Sequence, residues 1–331
     1  MSPVGSPELA TVLDAESTVA DTNPATTSRL QRALSARAEM GEDFFGGWEP
    51  SDAALFTKYA SRAESMPGKI TDFMGIRTSS FLHPWAAHFD NQVLGEIPIP
   101  DDSLRAEAIE YLATMDSLER APSDSFTMAE VGASYAPWTC VGAVLAKRTG
   151  RKANLVAVEA SSFLFDLIPV HLRENGVEPS EIRLINGAAG ARPGILYFPK
   201  VTNPGDNGSQ TADAPLETDY VGRQVEHEEV TAHPLVDLLP DGVVDLIHID
   251  VQGVEYGVIE AAIDVLDERV RAMFIGTHSR LIEGQLLDLL HSHGWQLVRE
   301  RPTKFVYHQE RPDVIGWTTR DGGQYWINKR L

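Results

Sequence analysis

Cysteine is almost missing from this chain. Cys140 stands alone among 331 residues, which excludes an internal disulfide and any zinc site built from several thiolates. Basic residues are also few: 28 Lys and Arg face 48 Asp and Glu, for a formal charge of −20. That balance argues against a nucleic-acid backbone or an anionic membrane surface as the main partner. No apolar run approaches the roughly 20 residues that span a bilayer. The segment from Met1 to Thr27 is acidic and rich in Ala, Ser and Thr, with neither a basic start nor an apolar block. It reads as a mobile tail over 1–27 and not as a secretory signal, so the expected location is cytoplasmic. Glycine, finally, is short where a phosphate-binding loop would need it: Met128 to Trp138 contains only Gly132.

What is present is a large apolar fraction, 43%, enough for one sizeable domain and an appendage. Residues 28–125 read as a mostly helical cap region. A helix is predicted over Ser28–Met40, followed by an aromatic cluster at Phe44, Phe45 and Trp48, then a helix capped by Ser51. In a third helix, Leu104, Ala108, Tyr111, Met115 and Leu118 fall at spacings of three and four. From 126 to 331 the rhythm becomes strand–helix alternation. Strands are expected near Thr127–Gly132, Leu155–Glu159, Ile182–Asn186, Val244–Asp250, Ala272–Thr277, Trp295–Glu300 and Gln324–Asn328. Helices are expected near Thr139–Thr149, Ser162–Asn175, Glu255–Leu266 and Ile282–His293. This pattern predicts an α/β, doubly wound, mostly parallel sheet, with ligands at the carboxyl ends of its strands. The last strand, which follows turn-rich sequence and no helix, is expected antiparallel at the edge. Lys200 to Val225 reads as a long insertion, functional or disordered.

Acids end three successive strands or lie beside their tips. Glu130 is read as lying in the first turn, where it disfavours a pyrophosphate and suits a cofactor with positive charge. Gly132 permits a sharp turn and a close ligand approach, with Ser134 and Ala136 small beside it. The next helix is expected to offer free amides. Glu159, 27 residues after Gly132, can accept from both hydroxyls of a ribose. Asn186 and Gly187 end the third strand beside the same pocket, where an amide could meet an adenine edge. Asp250 ends the strand carrying His248 deeper in, and could orient the cofactor's amino-acid moiety or the acceptor. His278, after the next strand, has an imidazole in the right range to accept a hydroxyl proton. The acids near the pocket show no recognisable metal-ligand spacing, so no metal is expected.

Several ordered blocks then resemble one family. Glu130-Val-Gly-Ala-Ser-Tyr-Ala-Pro-Trp138, Val158-Glu159-Ala160, His171-Leu-Arg-Glu-Asn-Gly176 and Val244-Asp-Leu-Ile-His-Ile-Asp-Val-Gln-Gly253 look like an FkbM-type methyltransferase. Gly276-Thr-His-Ser-Arg-Leu-Ile-Glu-Gly284, Gly294-Trp295 and Asp321-Gly-Gly-Gln-Tyr-Trp-Ile-Asn328 extend the match over Phe126 to Leu331. Thr71-Asp-Phe-Met-Gly-Ile-Arg77 and Ile97-Pro-Ile-Pro-Asp-Asp102 are similar to the N-terminal part of one subgroup. The resemblance implies a class I methyltransferase fold, Rossmann-like, with a seven-stranded sheet, and S-adenosylmethionine as cofactor. It implies methyl transfer to a hydroxyl of a small-molecule acceptor: a sugar, polyketide or other secondary metabolite. By position, Glu130 and Gly132 would border the methionine part, Glu159 the ribose and Asp250 the catalytic end; Ser134 is a further cofactor-binding candidate, and His278 and Asp250 are candidate bases. The chain departs from the family pattern at Ser134 and Ala136, where more glycine is usual, and at Gln252, where an acid is usual. His248 stands where the family usually has a basic residue. Two rivals stand beside this reading: a non-catalytic binding module keeping the fold, and a nicotinamide-dependent oxidoreductase, which the missing glycines and Glu130 disfavour.

Overall fold

The structure, a computed structural model, describes residues 24–40, 46–206 and 208–331 and separates into two compact units, Met1–Met115 and Asp116–Leu331. Phe44 and Phe45, and residues 1–23 of the stretch read as a tail, lie outside the described residues.

In the first unit the opening helix starts earlier than its periodicity indicates: α1 spans Pro24–Met40. It is followed by α2 (Ala53–Tyr59), β1 (Lys69–Thr71), β2 (Arg77–Ser79), β3 (Gln92–Val93) and α3 (Ala108–Arg120), within which the division between units falls. Helices are not the whole of it. The three short strands form a sheet in the order β2-β1-β3, too short to leave a period-two signature in the sequence. Phe56, Phe73 and Tyr111 pack as tilted and edge-on rings with centroids 5.5 to 6.4 Å apart. The Arg105 side chain is buried and anchored by a 2.7 Å ion pair to Asp72, while Asp102 accepts from the backbone N–H groups of Leu104, Arg105 and Ala106 and from the Tyr111 hydroxyl.

The second unit opens with β4 (Ser125–Val131), α4 (Pro137–Arg148), β5 (Lys152–Glu159), α5 (Ser162–Phe165), α6 (Ile168–Glu174) and β6 (Ile182–Asn186). The single helix expected over Ser162–Asn175 is two, because Pro169 has no N–H and fits only the first turn of α6. Next come β7 (Ala188–Gly190), β8 (Gly194–Pro199), β9 (His227–Pro234) and α7 (Leu235–Leu238). The remainder is β10 (Leu246–Ile249), α8 (Glu255–Arg269), β11 (Ala272–Thr277), α9 (Arg280–Ser292), β12 (Trp295–Arg301), β13 (Lys304–Phe305), β14 (Thr318–Arg320) and β15 (Gly322–Asn328).

Seven of these strands form one sheet in the order β12-β15-β11-β10-β4-β5-β6. All neighbours are parallel except β15, which runs antiparallel to both β11 and β12. That order, with a single reversed strand, is the class I methyltransferase fold. The reversed strand was expected at the edge; it is instead inserted between β11 and β12, and β12 is the edge. Strand alternation divides the core between two faces. Val131, Val158, Ile249 and Ile275 join Ile259, Leu266, Leu286 and Leu290 of α8 and α9 on one. On the other, α4 approaches so closely that a Cβ on Gly142 would lie 3.1 Å from the Met128 sulfur.

Two features position the site. Chain order runs outward from β4 through β5 and β6 in one direction and from β10 to β11 in the other, so the crevice of the reversal opens between the tips of β4 and β10. The expected insertion from Lys200 to Val225 is the connection between β8 and β9, which pair antiparallel and with β7 make a second, three-stranded sheet.

Candidate active site

Gly132 leaves the tip of β4 at φ +81°, and a Cβ there would lie 1.7 Å from the Asp250 carbonyl oxygen. Only a residue without a side chain lets the ends of β4 and β10 come this close. Beyond it Ser134 and Ala136 adopt φ of +50° and +61°, the left-handed conformations that glycine takes without cost. The loop therefore keeps its shape although two glycines are absent. The Ser134 hydroxyl is buried without a hydrogen-bond partner and borders the pocket.

Glu130 does not lie in the turn. It sits within β4, 1% exposed, and its carboxylate accepts from the N–H groups of Trp138 and Thr139 and from the Thr139 hydroxyl. It caps the N-terminus of α4 from across the turn, so the amides expected to be free for a ligand are taken. Burial pushes its pKa up, against the pull of His248 and the Thr139 donors. His248 stands next to it in register, stacked on Trp138 at 5.2 Å and against Phe274 at 4.6 Å, with its pKa lowered by burial to about 4. It is a neutral aromatic core residue.

A pocket opens where the strand tips meet, lined by Gly132, Ser134, Glu159, Gly187 and Asp250, with Ser209 and Thr211 reaching it from the β8–β9 connection. The Glu159 oxygens accept the backbone N–H groups of Ser134 at 2.6 Å and Ser161 at 2.7 Å, with the Ala160 amide beside them. A carboxylate has about four lone-pair directions, so acceptor capacity is left for a ligand hydroxyl. Burial raises the Glu159 pKa to about 7, opposed by the Ser161, Ser134 and Ala160 amides. Asn186 does not line the pocket; its amide donates to the Glu159 and Ala160 carbonyls and holds the tip of β5. A buried carboxylate with spare acceptor sites, an unpartnered hydroxyl and a glycine cradle fit a cofactor with a ribose and a small zwitterionic end.

Asp250 follows β10 with its side chain 35% exposed. Its Oδ1 accepts from the Gln252 amide at 3.1 Å and faces His278 Nε2 at 3.3 Å, whereas Oδ2 receives no hydrogen bond from any described residue. His278, expected to line the pocket as a base, is 2% exposed and stands behind Asp250, with Nδ1 2.8 Å from Glu255 Oε1. Burial alone would lower its pKa, but the Glu255 charge and the hydrogen bonds to Asp250 and Glu255 raise it well above the imidazole range. A histidine between two carboxylates is favoured in its charged form, which has no lone pair with which to take a proton. For Asp250 burial works upward, yet the His278 hydrogen bond and charge, then His248 and Gln252, hold its carboxyl below the usual range. Ligand atoms of Asp250, Glu255 and His278 all lie within 4.8 Å of one another. Each ring nitrogen faces a different carboxylate, so the three side chains form a hydrogen-bonded chain. Glu255 reads in the sequence only as the start of a helix; its contact with His278 crosses 23 residues and leaves no local signal.

Residues 130–297 match the Methyltransferase FkbM domain. A protein of Jannaschia sp. (strain CCS1) named "Putative methyltransferase" is 34% identical over 259 residues, covering 77% of this chain and 92% of that protein. Among solved structures, Methyltransferase FkbM from Methylobacillus flagellatus KT aligns with a TM-score of 0.39 and 17% identity, over 62% of this chain and 44% of that one. The C-terminal domain of precorrin-6Y C5,15-methyltransferase from Rhodobacter capsulatus aligns with a TM-score of 0.37 and 14% identity, over 68% and 90%. Both scores are low, and it is the strand order that establishes the fold. Among the described residues no helix is long and apolar enough to cross a membrane.

Proposed function

This chain belongs to the FkbM methyltransferase family and is a methyltransferase dependent on S-adenosylmethionine; from that premise we propose that it methylates a hydroxyl group, with Asp250 receiving the acceptor. The single observation that carries the proposal is the asymmetry of the Asp250 carboxylate. One oxygen is held by Gln252 and His278, and the other is free at the pocket end of β10.

When bound, the cofactor supplies a methyl group already activated on a sulfonium. The protein's task is therefore alignment more than activation. Glu159 would accept from the ribose hydroxyls, Ser134 would donate its unpartnered hydroxyl, and Gly132 keeps the passage between strand tips open. Asp250 Oδ2 would accept a hydrogen bond from the acceptor hydroxyl, orient its lone pair and take its proton as the oxygen loses electron density. A carboxylate held this acidic is a weak base, which suits a proton that leaves late. The fixed imidazolium of His278 stabilises the ionised carboxylate in place. Ser209 and Thr211 on the β8–β9 connection would limit water at the pocket. A sugar, a polyketide or another hydroxylated secondary metabolite is the acceptor class this reading favours.

Transfer of labelled methyl from S-adenosylmethionine to a panel of hydroxylated sugars and polyketides tests it. An Asp250→Asn variant is expected to bind cofactor normally and to lose at least about a hundredfold in turnover. Unchanged turnover in that variant would remove Asp250 from the reaction.

A further inference from the structure

We propose that Glu255 is the positioning residue of this site: it holds the His278 imidazole and the 251–253 turn together, so that two donors converge on one oxygen of Asp250. The inference rests on the reading that Asp250 meets the acceptor, and it assigns a role to a side chain outside the pocket.

Glu255 is the first residue of α8 and is fully buried. Its Oε1 accepts from Gly253 N at 2.9 Å and Val251 N at 3.3 Å and pairs with His278 Nδ1 at 2.8 Å, while Oε2 accepts from Gly253 N at 3.0 Å. One carboxylate thus ties together the exit from β10, the start of α8 and the tip of β11. The turn it holds is a demanding one. Gln252 is left-handed at φ +57°, Gly253 lies at φ +110°, and a Cβ on Gly253 would fall 2.3 Å from the Ile315 side chain. This conformation sends the Gln252 amide back to Asp250 Oδ1, beside His278 Nε2.

The consequence is chemical as well as geometric. An imidazole donating Nε2–H to Asp250 needs an acceptor for its other N–H when charged, and Glu255 is that acceptor. The His278 carbonyl accepts from the Thr318 hydroxyl at 2.6 Å, which fixes the backbone of the same residue. The groups facing the imidazole are Glu255 on α8, Asp250 after β10, Asp321 before β15 and Tyr220 on the β8–β9 connection. Those facing Asp250 are His278, His248, Gln252, Glu159 and Asp321. Of these, Glu255 joins the ring to the backbone amides of the turn, while Asp250 meets the ring and the Gln252 side chain. An acid at position 252 would set a like charge against Asp250, whereas Gln252 supplies a second donor.

The test uses the full chain labelled with ¹³C,¹⁵N-histidine, with the His278 signals identified by their absence in His278→Gln. In the wild type His278 is expected to stay an imidazolium well above the pH at which a free imidazole loses its proton. In Glu255→Gln, which can still accept from Gly253 N but carries no charge, it is expected to titrate near the ordinary value of about 6.5. Glu255→Asp keeps the charge at greater distance and is expected to fall between them; it also serves if the Gln variant does not fold. Titration of the wild type near 6.5, or an imidazolium unmoved in both variants, would overturn the proposal. Calorimetry with S-adenosylhomocysteine on the same samples separates the two readings. Binding within about twofold of wild type is expected in both variants, and failure of the wild type to bind would overturn the pocket while leaving the Glu255 titration to be read on its own.

Discussion

Ser134 occupies a left-handed conformation and buries a hydroxyl without a partner, two local costs at one residue. Ser134→Gly removes both, so the cofactor-free protein is expected to gain about 1 kcal/mol in urea unfolding. Cofactor affinity should fall modestly in the same variant if the hydroxyl is a ligand. Glu159 carries a second residue-scale prediction, with opposite signs for folding and binding. Its pKa in the fold, about 7, lies above the ordinary 4.5, so its protonated form favours the folded state. That contribution to stability is fully present below about pH 4.5 and is lost as pH rises through 7. Ribose hydroxyls need the ionised form, so cofactor affinity should drop by up to about tenfold per pH unit below 7, as calorimetry from pH 5.5 to 8 would record. The acids at the tips of β5 and β10 could be read from sequence because an acid ending an apolar strand has few structural reasons to be there. The partners of Glu130 and His278 could not, since a hydrogen bond to the next helix and one to a helix 23 residues away follow only from the folded path.

At the scale of elements, the most consequential contact is the cap that Glu130 places on α4. Glu130→Ala would leave the amides of Trp138 and Thr139 and the Thr139 hydroxyl without an acceptor in a buried place. A loss of about 2–4 kcal/mol is expected, with Glu130→Gln recovering part of it, as read by thermal or urea unfolding. A variant as stable as the wild type would show that α4 is held by its packing alone. Long, apolar strands and helices appear where periodicity places them: the main-sheet strands agree with expectation to within about three residues at each end, as boundaries read from a sequence should. The misses are elements whose sequences lack a period. β7 is three small residues, and β9 carries His227, Glu228 and Glu229 at its start, so neither announces a second sheet. The insertion is what joins β8 to β9, and its Ser209 and Thr211 line the pocket beside Glu159 and Asp250.

At the scale of the whole molecule, alternation of strands and helices predicts a doubly wound sheet, but not where a reversed strand enters it. The position of β15 between β11 and β12 is set by pairing on both sides, which no local segment encodes. The pocket follows from the topology: reversal of strand order at β4 and β10 brings Gly132 against the Asp250 backbone and sets Glu159 and Asp250 on the same crevice. The central claim is that this crevice holds S-adenosylmethionine through Glu159 and presents Asp250 to the acceptor. Calorimetric titration of the full chain with S-adenosylmethionine at pH 8, in the wild type and in Glu159→Ala, tests it most directly. A dissociation constant on the order of micromolar, about −8 kcal/mol, is expected, weakened at least about tenfold by the substitution. Equal affinity in the two proteins, or no heat of binding in either, would contradict it.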